Sequence, residues 1–208
     1  MQKDREELNI ELGSILEKSF EASFPLEELC IVEGEMSWTV YIDAMVLNNS
    51  GNLYDAISIA AKAAIYDTKI PKINVLRIAK DKQNTSNERQ YNYDIEVSDD
   101  PQQYDKLNVS RVPVCVTLSK IGGKFIVDAN LDEEQCVHAN LVVSVNSLGH
   151  VCSVEKGGKG TLDPSLMFQM IENSKSIALK IISSVNDILQ KEENTSRQKV
   201  GFFGKNYF

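Results

Sequence analysis

Asp128, Asp132, Glu133 and Glu134 form an acidic cluster beside the second strand of a hairpin, and they are the first residues whose types and spacing suggest chemistry. Carboxylates this close together bind Mg²⁺ or divide general acid and general base work between them. The same run also suits a solvated helix N-terminus or a turn, and spacing alone favours that use. Gly157-Gly158-Lys159-Gly160-Thr161 superficially resembles a phosphate loop. It lacks the spaced first glycine and follows an antiparallel hairpin strand, so it reads as a flexible loop ahead of a capped helix. Its lysines remain able to touch a phosphate backbone. His138 and His150 are the only histidines, and neither stands at a metal-ligand spacing from a cysteine; Cys136-Val137-His138 is too tight. Both read as structural. Asp43, in the middle of an apolar run, is either a buried hydrogen-bonded carboxylate or a site residue.

The elements that must position these residues follow from periodicity. The chain is organised around Met36–Thr68. Trp38, Val40, Ile42, Ala44 and Val46 alternate with Thr39, Tyr41, Asp43, Met45 and Leu47, which predicts a strand buried on both faces. Asn48-Asn49-Ser50-Gly51 is a turn, and from Asn52 the period becomes helical. Leu53, Ala56, Ile57, Ala60, Ala61 and Ala64 make one alanine-rich stripe, small enough to let the helix approach a sheet closely. Before this unit, Leu8, Leu12, Ile15, Leu16 and Phe20 predict an amphipathic helix ended by Pro25, and Leu26–Val32 a short strand. After it come a strand at Ile73–Ile78 and a long polar stretch, Lys80–Lys106, with a hairpin arm at Tyr91–Val97. Tyr91, Tyr93 and Tyr104 invite a base-stacking role, but the acidic residues among them repel phosphates, so a solvated loop is the better reading. Val112–Leu118, Lys124–Asp128, Leu141–Val145 and His150–Val154 predict an antiparallel meander, with a short acidic connection at Leu131–Cys136. Asp163 and Pro164 open a last helix with an apolar stripe from Met167 to Ile188. Residues 192–208 read as a flexible tail.

The chain has 208 residues, of which 42% are hydrophobic and 25% charged, the make-up of an ordinary globular domain. A net charge of -8 argues against autonomous nucleic-acid binding, which needs a basic footprint, though not against a contact made within a larger basic assembly. Cys30, Cys115, Cys136 and Cys152 have no metal-site spacing and read as buried, reduced thiols. No apolar run is long enough to span a bilayer, so no membrane partner is expected.

Trp38-Thr39-Val40-Tyr41-Ile42-Asp43 followed by Gly51-Asn52-Leu53-Tyr54-Asp55-Ala56-Ile57-Ser58-Ile59-Ala60 resembles RNase PH-type domains. Glu96–Pro101, Lys159–Pro164 and Arg197–Phe202 agree, and the closer likeness is to the non-catalytic ring subunits of the eukaryotic RNA exosome. The resemblance implies an α/β (α+β) fold of the RNase PH-like, ribosomal protein S5 domain 2-like kind, here residues 1–191 with the polar loop 80–106. It also implies a strand-rich N-terminal portion ahead of the first helix. Its absence here suggests a shortened form or fragment with exposed sheet edge and helix faces, less stable in isolation.

Active members of the family degrade RNA from the 3′ end with phosphate as nucleophile, using arginines on the first helix and paired acids. Here that helix offers Ser14, Glu17 and Lys18, with no arginine after Arg5. Asp128 and Glu134 match the acidic motif, but Asn140 stands where a later catalytic aspartate is expected, and an amide supplies neither an anionic ligand nor a base. The resemblance therefore implies a structural subunit with no cofactor and no metal of its own. Its expected partners are other RNase PH-type ring subunits, cap subunits and RNA held by the assembled complex, in nucleus, nucleolus and cytoplasm. Lys120, Lys124, Lys156 and Lys159 are the candidate RNA contacts. An active phosphorolytic exoribonuclease and a truncated form outside the complex are the alternatives.

Overall fold

The computed structural model describes residues 2–79 and 91–204. Helix α1 (Gln2–Glu21) buries Leu12, Ser19 and Phe20 and stops before Pro25. Leu26–Leu29 is a 3-10 turn, where the sequence predicts strand: Pro25 opens a tight turn closed by Glu28 N–H on its carbonyl at 3.1 Å. Only Cys30–Val32 (β1) is extended, paired with Met36–Ser37 (β2). Helix α2 (Leu53–Asp67) follows, then β3 (Lys69–Pro71), β4 (Ile73–Ala79), β5 (Tyr91–Val97) and β6 (Tyr104–Lys106). These four form two antiparallel ribbons, β3 with β6 and β4 with β5. Residues 80–90 of the expected polar loop lie outside the described residues.

The main sheet comprises β7 (Val114–Ile121), β8 (Lys124–Val127), β9 (Ala139–Val145) and β10 (Val151–Gly157), with helix α3 (Leu131–Gln135) between β8 and β9. Every pairing is antiparallel, but the order is β10-β9-β7-β8, which corrects the expected meander. Strands β8 and β9 flank β7 and run parallel to each other, so β8-α3-β9 is a crossover that passes over β7. The acidic stretch read as a simple connection is the helix of that crossover. Asn130 caps it with a reciprocal bond pattern: its side chain accepts from Asp132 and Glu133 N–H, and Glu133 accepts from Asn130 N–H.

Alternation along β7 divides the sheet into two faces. Val116 and Leu118, with Leu141, Val143 and Val145 of β9, form a buried cluster with Met170 and Ala178 of helix α4 (Pro164–Gly204). The opposite face carries Cys115, Thr117, Ser119 and Ser144 and packs on α1 and α2. The result is three layers, helix pair, sheet and long helix. Helix α4 continues to Gly204, which corrects the expectation that the helix ends at Lys191. Glu193 on this extension accepts from Tyr66 Oη at 2.9 Å and from Lys106 Nζ at 3.0 Å, so α2 and β6 hold it.

Two further expectations are corrected. The alternating segment 38–47 has no strand partner among the described residues. Trp38 and Val40 pack beside Phe20 and Ile65, but residues 41–50 are all exposed, Tyr41 at 83%, Met45 at 85% and Leu47 at 90%. A strand is buried on both sides only when neighbours cover it, and the described residues supply none. The buried face of α2 is also not the alanine stripe. Asp55, Ser58, Ala61, Lys62 and Ile65 are buried, whereas Ala56, Ala60 and Ala64 are exposed. The helix is turned by about one residue because its polar groups find partners on β7.

Candidate functional site

The turn before α2 requires unusual backbone. Gly51 has φ +108°, and a Cβ there would collide with the backbone of Ala129 and Asn130. Asn52 follows in the left-handed region at φ 52°, a conformation asparagine tolerates. This geometry brings α2 against the end of β8 and ties the acidic residues together. Asn52 N–H donates to Glu134 Oε1 at 2.8 Å. Asn52 Nδ2 donates to Asp55 Oδ2 at 2.9 Å and to Asp128 Oδ1 at 3.0 Å. Asp55 then reaches the sheet, where Thr117 N–H donates to Oδ2 at 3.0 Å and Thr117 Oγ1 to Oδ1 at 2.7 Å. Burial pushes the Asp55 carboxyl up; the Asn52 and Thr117 donors pull it back, and the Asp128 charge adds to the rise.

Asp128 and Glu134 thus act here as acceptors for one asparagine. Asp132 and Glu133 lie in the capped first turn of α3, where negative charge favours the helix. Among the described residues no group of three or more His, Cys, Asp or Glu side chains is arranged to hold a metal ion. Asn140 lies on β9 opposite Ser119 and Gly157, on the face shared with α1 and α2. Its Oδ1 is buried without a hydrogen-bond partner, in space that a Cβ on Gly157 would fill.

The four candidate RNA-contact lysines gather at one end of the sheet. Register places Lys124 opposite Ile121, and Lys120 opposite Ala139; Asn140 opposite Gly157 sets Lys156 and Lys159 at the same end. Lys120 Nζ donates to Thr161 O at 3.1 Å and Lys156 Nζ to Gly158 O at 2.7 Å, while Lys124 and Lys159 are exposed. The glycine loop is not free: Gly160 N–H donates to His138 O at 2.6 Å, and at Gly158, φ +73°, a Cβ would crowd the same carbonyl. His138 is exposed beside them, and His150 sits in the β9–β10 turn with its N–H on Asn146 Oδ1 at 3.0 Å. Asp43 is exposed in the uncovered segment, neither buried nor part of a cluster. All four cysteines are free, but only Cys115 is buried; Cys30 and Cys136 are exposed.

Sequence reasoning missed Asn52, Asp55 and Lys62. Lys62 is fully buried, and its Nζ donates to Val112 O at 2.6 Å, Val109 O at 2.8 Å and Ser147 Oγ at 3.4 Å. The available signal was position: an acid and a lysine inside a mainly apolar, alanine-rich helix, and an asparagine directly before it.

Models of the 3′ exoribonuclease family match residues 2–71, as domain 1, and residues 111–177, as domain 2, together about two thirds of the chain. The chain belongs to the RNase PH family. A Dictyostelium discoideum protein named as exosome complex exonuclease RRP42 is 42% identical over 167 residues, covering 79% of this chain and 48% of that protein. The exosome complex component Rrp42 of Thermococcus gammatolerans is 36% identical over 158 residues, 75% of this chain and 52% of the relative. The chain therefore spans about half the length of the curated relatives it matches. An archaeal exosome core chain superposes with a TM-score of 0.68 at 26% identity, over 87% of this chain and 64% of that one. A chain of the Archaeoglobus fulgidus exosome with RNA bound to the active site gives 0.64 at 25% identity, over 84% and 60%. These matches agree with the RNase PH-like α/β architecture expected from the sequence.

Proposed function

We propose that this RNase PH-family chain serves as a non-catalytic structural subunit of an exosome-type ring, supporting 3′-to-5′ RNA processing and decay. The observation that carries the reading is the engagement of the acidic motif. Asp128 and Glu134 both accept hydrogen bonds from Asn52, and Asn140 stands where the family resemblance leads us to expect a third carboxylate. Carboxylates held this way fix the start of α2 against β8 and α3, which is a scaffold's work. Relatives named for the exosome complex, one as an exonuclease and one as a component, and exosome-core neighbours support the ring assignment. Other RNase PH-type subunits and cap subunits are the proposed partners, with RNA reached through the assembly in nucleus, nucleolus and cytoplasm. Lys120, Lys124, Lys156 and Lys159, together at one sheet end, are the proposed phosphate contacts.

Incubating the purified chain with single-stranded RNA, inorganic phosphate and Mg²⁺ tests the non-catalytic part. No nucleoside diphosphate is expected, and its release would overturn the reading. Asn140→Asp is expected to remain inactive, because Asp128 and Glu134 keep their bonds to Asn52. Co-purification with RNase PH-type ring subunits tests the scaffold part, and a chain that never associates with them would exclude it.

A further inference from the structure

A cleft of about 570 Å³ opens where the three small ribbons meet, well away from the acidic motif and the lysines. Trp38, Glu28, Glu96, Asp105, Lys72 and Cys30 are among its walls. One wall is the β1-β2 ribbon, extended by Trp38 N–H on Leu29 O at 2.8 Å. The other is the joined pair of β3-β6 and β4-β5, locked through Lys72, whose N–H donates to Gln103 O at 3.1 Å and whose carbonyl accepts from Ser98 N–H at 2.9 Å. No backbone hydrogen bond crosses between the walls among the described residues: β1 pairs with β2 alone, β3 with β6 alone, β4 with β5 alone. Each wall therefore offers an unpaired strand edge, the arrangement to which an extended segment adds.

The charge of the walls chooses the occupant. Three carboxylates face one ammonium. Glu28 accepts from Asn108 N–H at 2.8 Å, and Asp105 stands 4.0 Å from Lys72. Glu96 is exposed and makes no side-chain hydrogen bond or ion pair among the described residues. Phosphate-bearing ligands are repelled by this surplus, and a cation beside carboxylates and an indole gains from both. We propose that the cleft is a docking site for an extended, basic segment of a partner protein, which lays its backbone along the open ribbon edges and sets an arginine or lysine among Glu28, Glu96 and Asp105 near Trp38. The site needs none of the groups used in the scaffold reading, so either can fail alone.

Trp38 is the chain's single tryptophan, so intrinsic fluorescence reports the cleft directly. The full chain is titrated with a capped octapeptide alternating valine and arginine, with its valine–glutamate counterpart, and with an oligouridylate. The basic peptide is expected to change Trp38 emission saturably and to bind more weakly as salt rises. Glu96→Lys combined with Asp105→Lys is expected to weaken it by about tenfold with an unchanged circular dichroism spectrum, whereas Lys72→Ala tightens it. No saturable change, equal binding of the acidic peptide, preference for the oligouridylate, or indifference to the charge reversal would each overturn the assignment.

Discussion

Asp55 is the residue on which the helix–sheet junction depends. It joins α2 to β7 through both Thr117 donors and to the αL turn through Asn52. Asp55→Ala leaves buried donors without acceptors, and the expected loss is about 3 kcal/mol in urea unfolding. Thr117→Val removes only one donor and is expected to cost about 1 kcal/mol. The two losses should not add, because they share a bond.

Lys62 makes a pH prediction. Burial pushes its ammonium down from 10.5 to about 8. Above that pH the folded chain has released a proton that the unfolded chain holds until about pH 10.4. The unfolded state then binds more protons, so stability rises with pH across the window. Between pH 7.5 and 9.5 the wild type is expected to gain about 2 kcal/mol relative to Lys62→Met. Parallel urea midpoints for the two proteins would contradict this. Such residues were only half legible in the sequence. Their charge in a small-residue helix was visible, but the oxygens that accept Lys62 come from the approach to β7 and the β9–β10 turn, far along the chain.

Among the elements, α1, α2, α4 and the strands of the main sheet were legible, because their apolar period follows from local geometry. Strand order was not. Whether β9 pairs with β8 or crosses β7 to pair on its far edge depends on α3, and Leu131–Gln135 is too short for periodicity to reveal a helix. The facing of α2 was hidden for a related reason. Hydrophobic counting selects the alanines, whereas Ser58 accepts Cys115 N–H at 2.9 Å and Asp55 accepts from Thr117, which draws the polar edge inward. The serines at the α1 junction behave the same way: Ser144 Oγ donates to Ser19 Oγ at 2.7 Å, with Ser153 Oγ 2.8 Å from each. The acidic motif was legible as a cluster, but its role in holding Asn52 was not. The end of α4 was misjudged because its anchors, Tyr66 and Lys106, are remote in sequence. Glu193→Ala is expected to speed amide exchange in α4 beyond Gln190. The global urea midpoint should move by less than about 1 kcal/mol, since the pairs at Glu193 are partly solvated. Unchanged exchange there would show that the extension holds without them.

At the scale of the molecule, the apolar surface is uneven. The main sheet is covered on both faces, yet Tyr41, Ile42, Met45, Val46 and Leu47 are exposed, and the first four line a groove of about 800 Å³ together with Leu12, Leu16, Phe20, Ile57 and Ala61. An apolar run of this kind marks a surface built to be covered. The isolated chain is therefore expected to bind a hydrophobic dye such as ANS. Replacing Tyr41, Met45 and Leu47 together by serine should remove most of that signal while leaving the urea midpoint within about 0.5 kcal/mol. A wild-type chain that binds no dye would show the groove closed in solution.

The uncovered run from Tyr41 to Leu47 also bears on how long the chain survives in a cell. Chaperones and proteases recognise exposed apolar segments with few neighbours, and residues 41–47 present one without any unfolding step. An unassembled copy carries its own removal signal, and a copy whose run is covered hides it. Pulse-chase labelling should show a short half-life for the free chain, lengthened by the triple serine replacement. Cellular abundance would then follow the supply of whatever covers the run rather than the rate of synthesis, a built-in form of stoichiometry control.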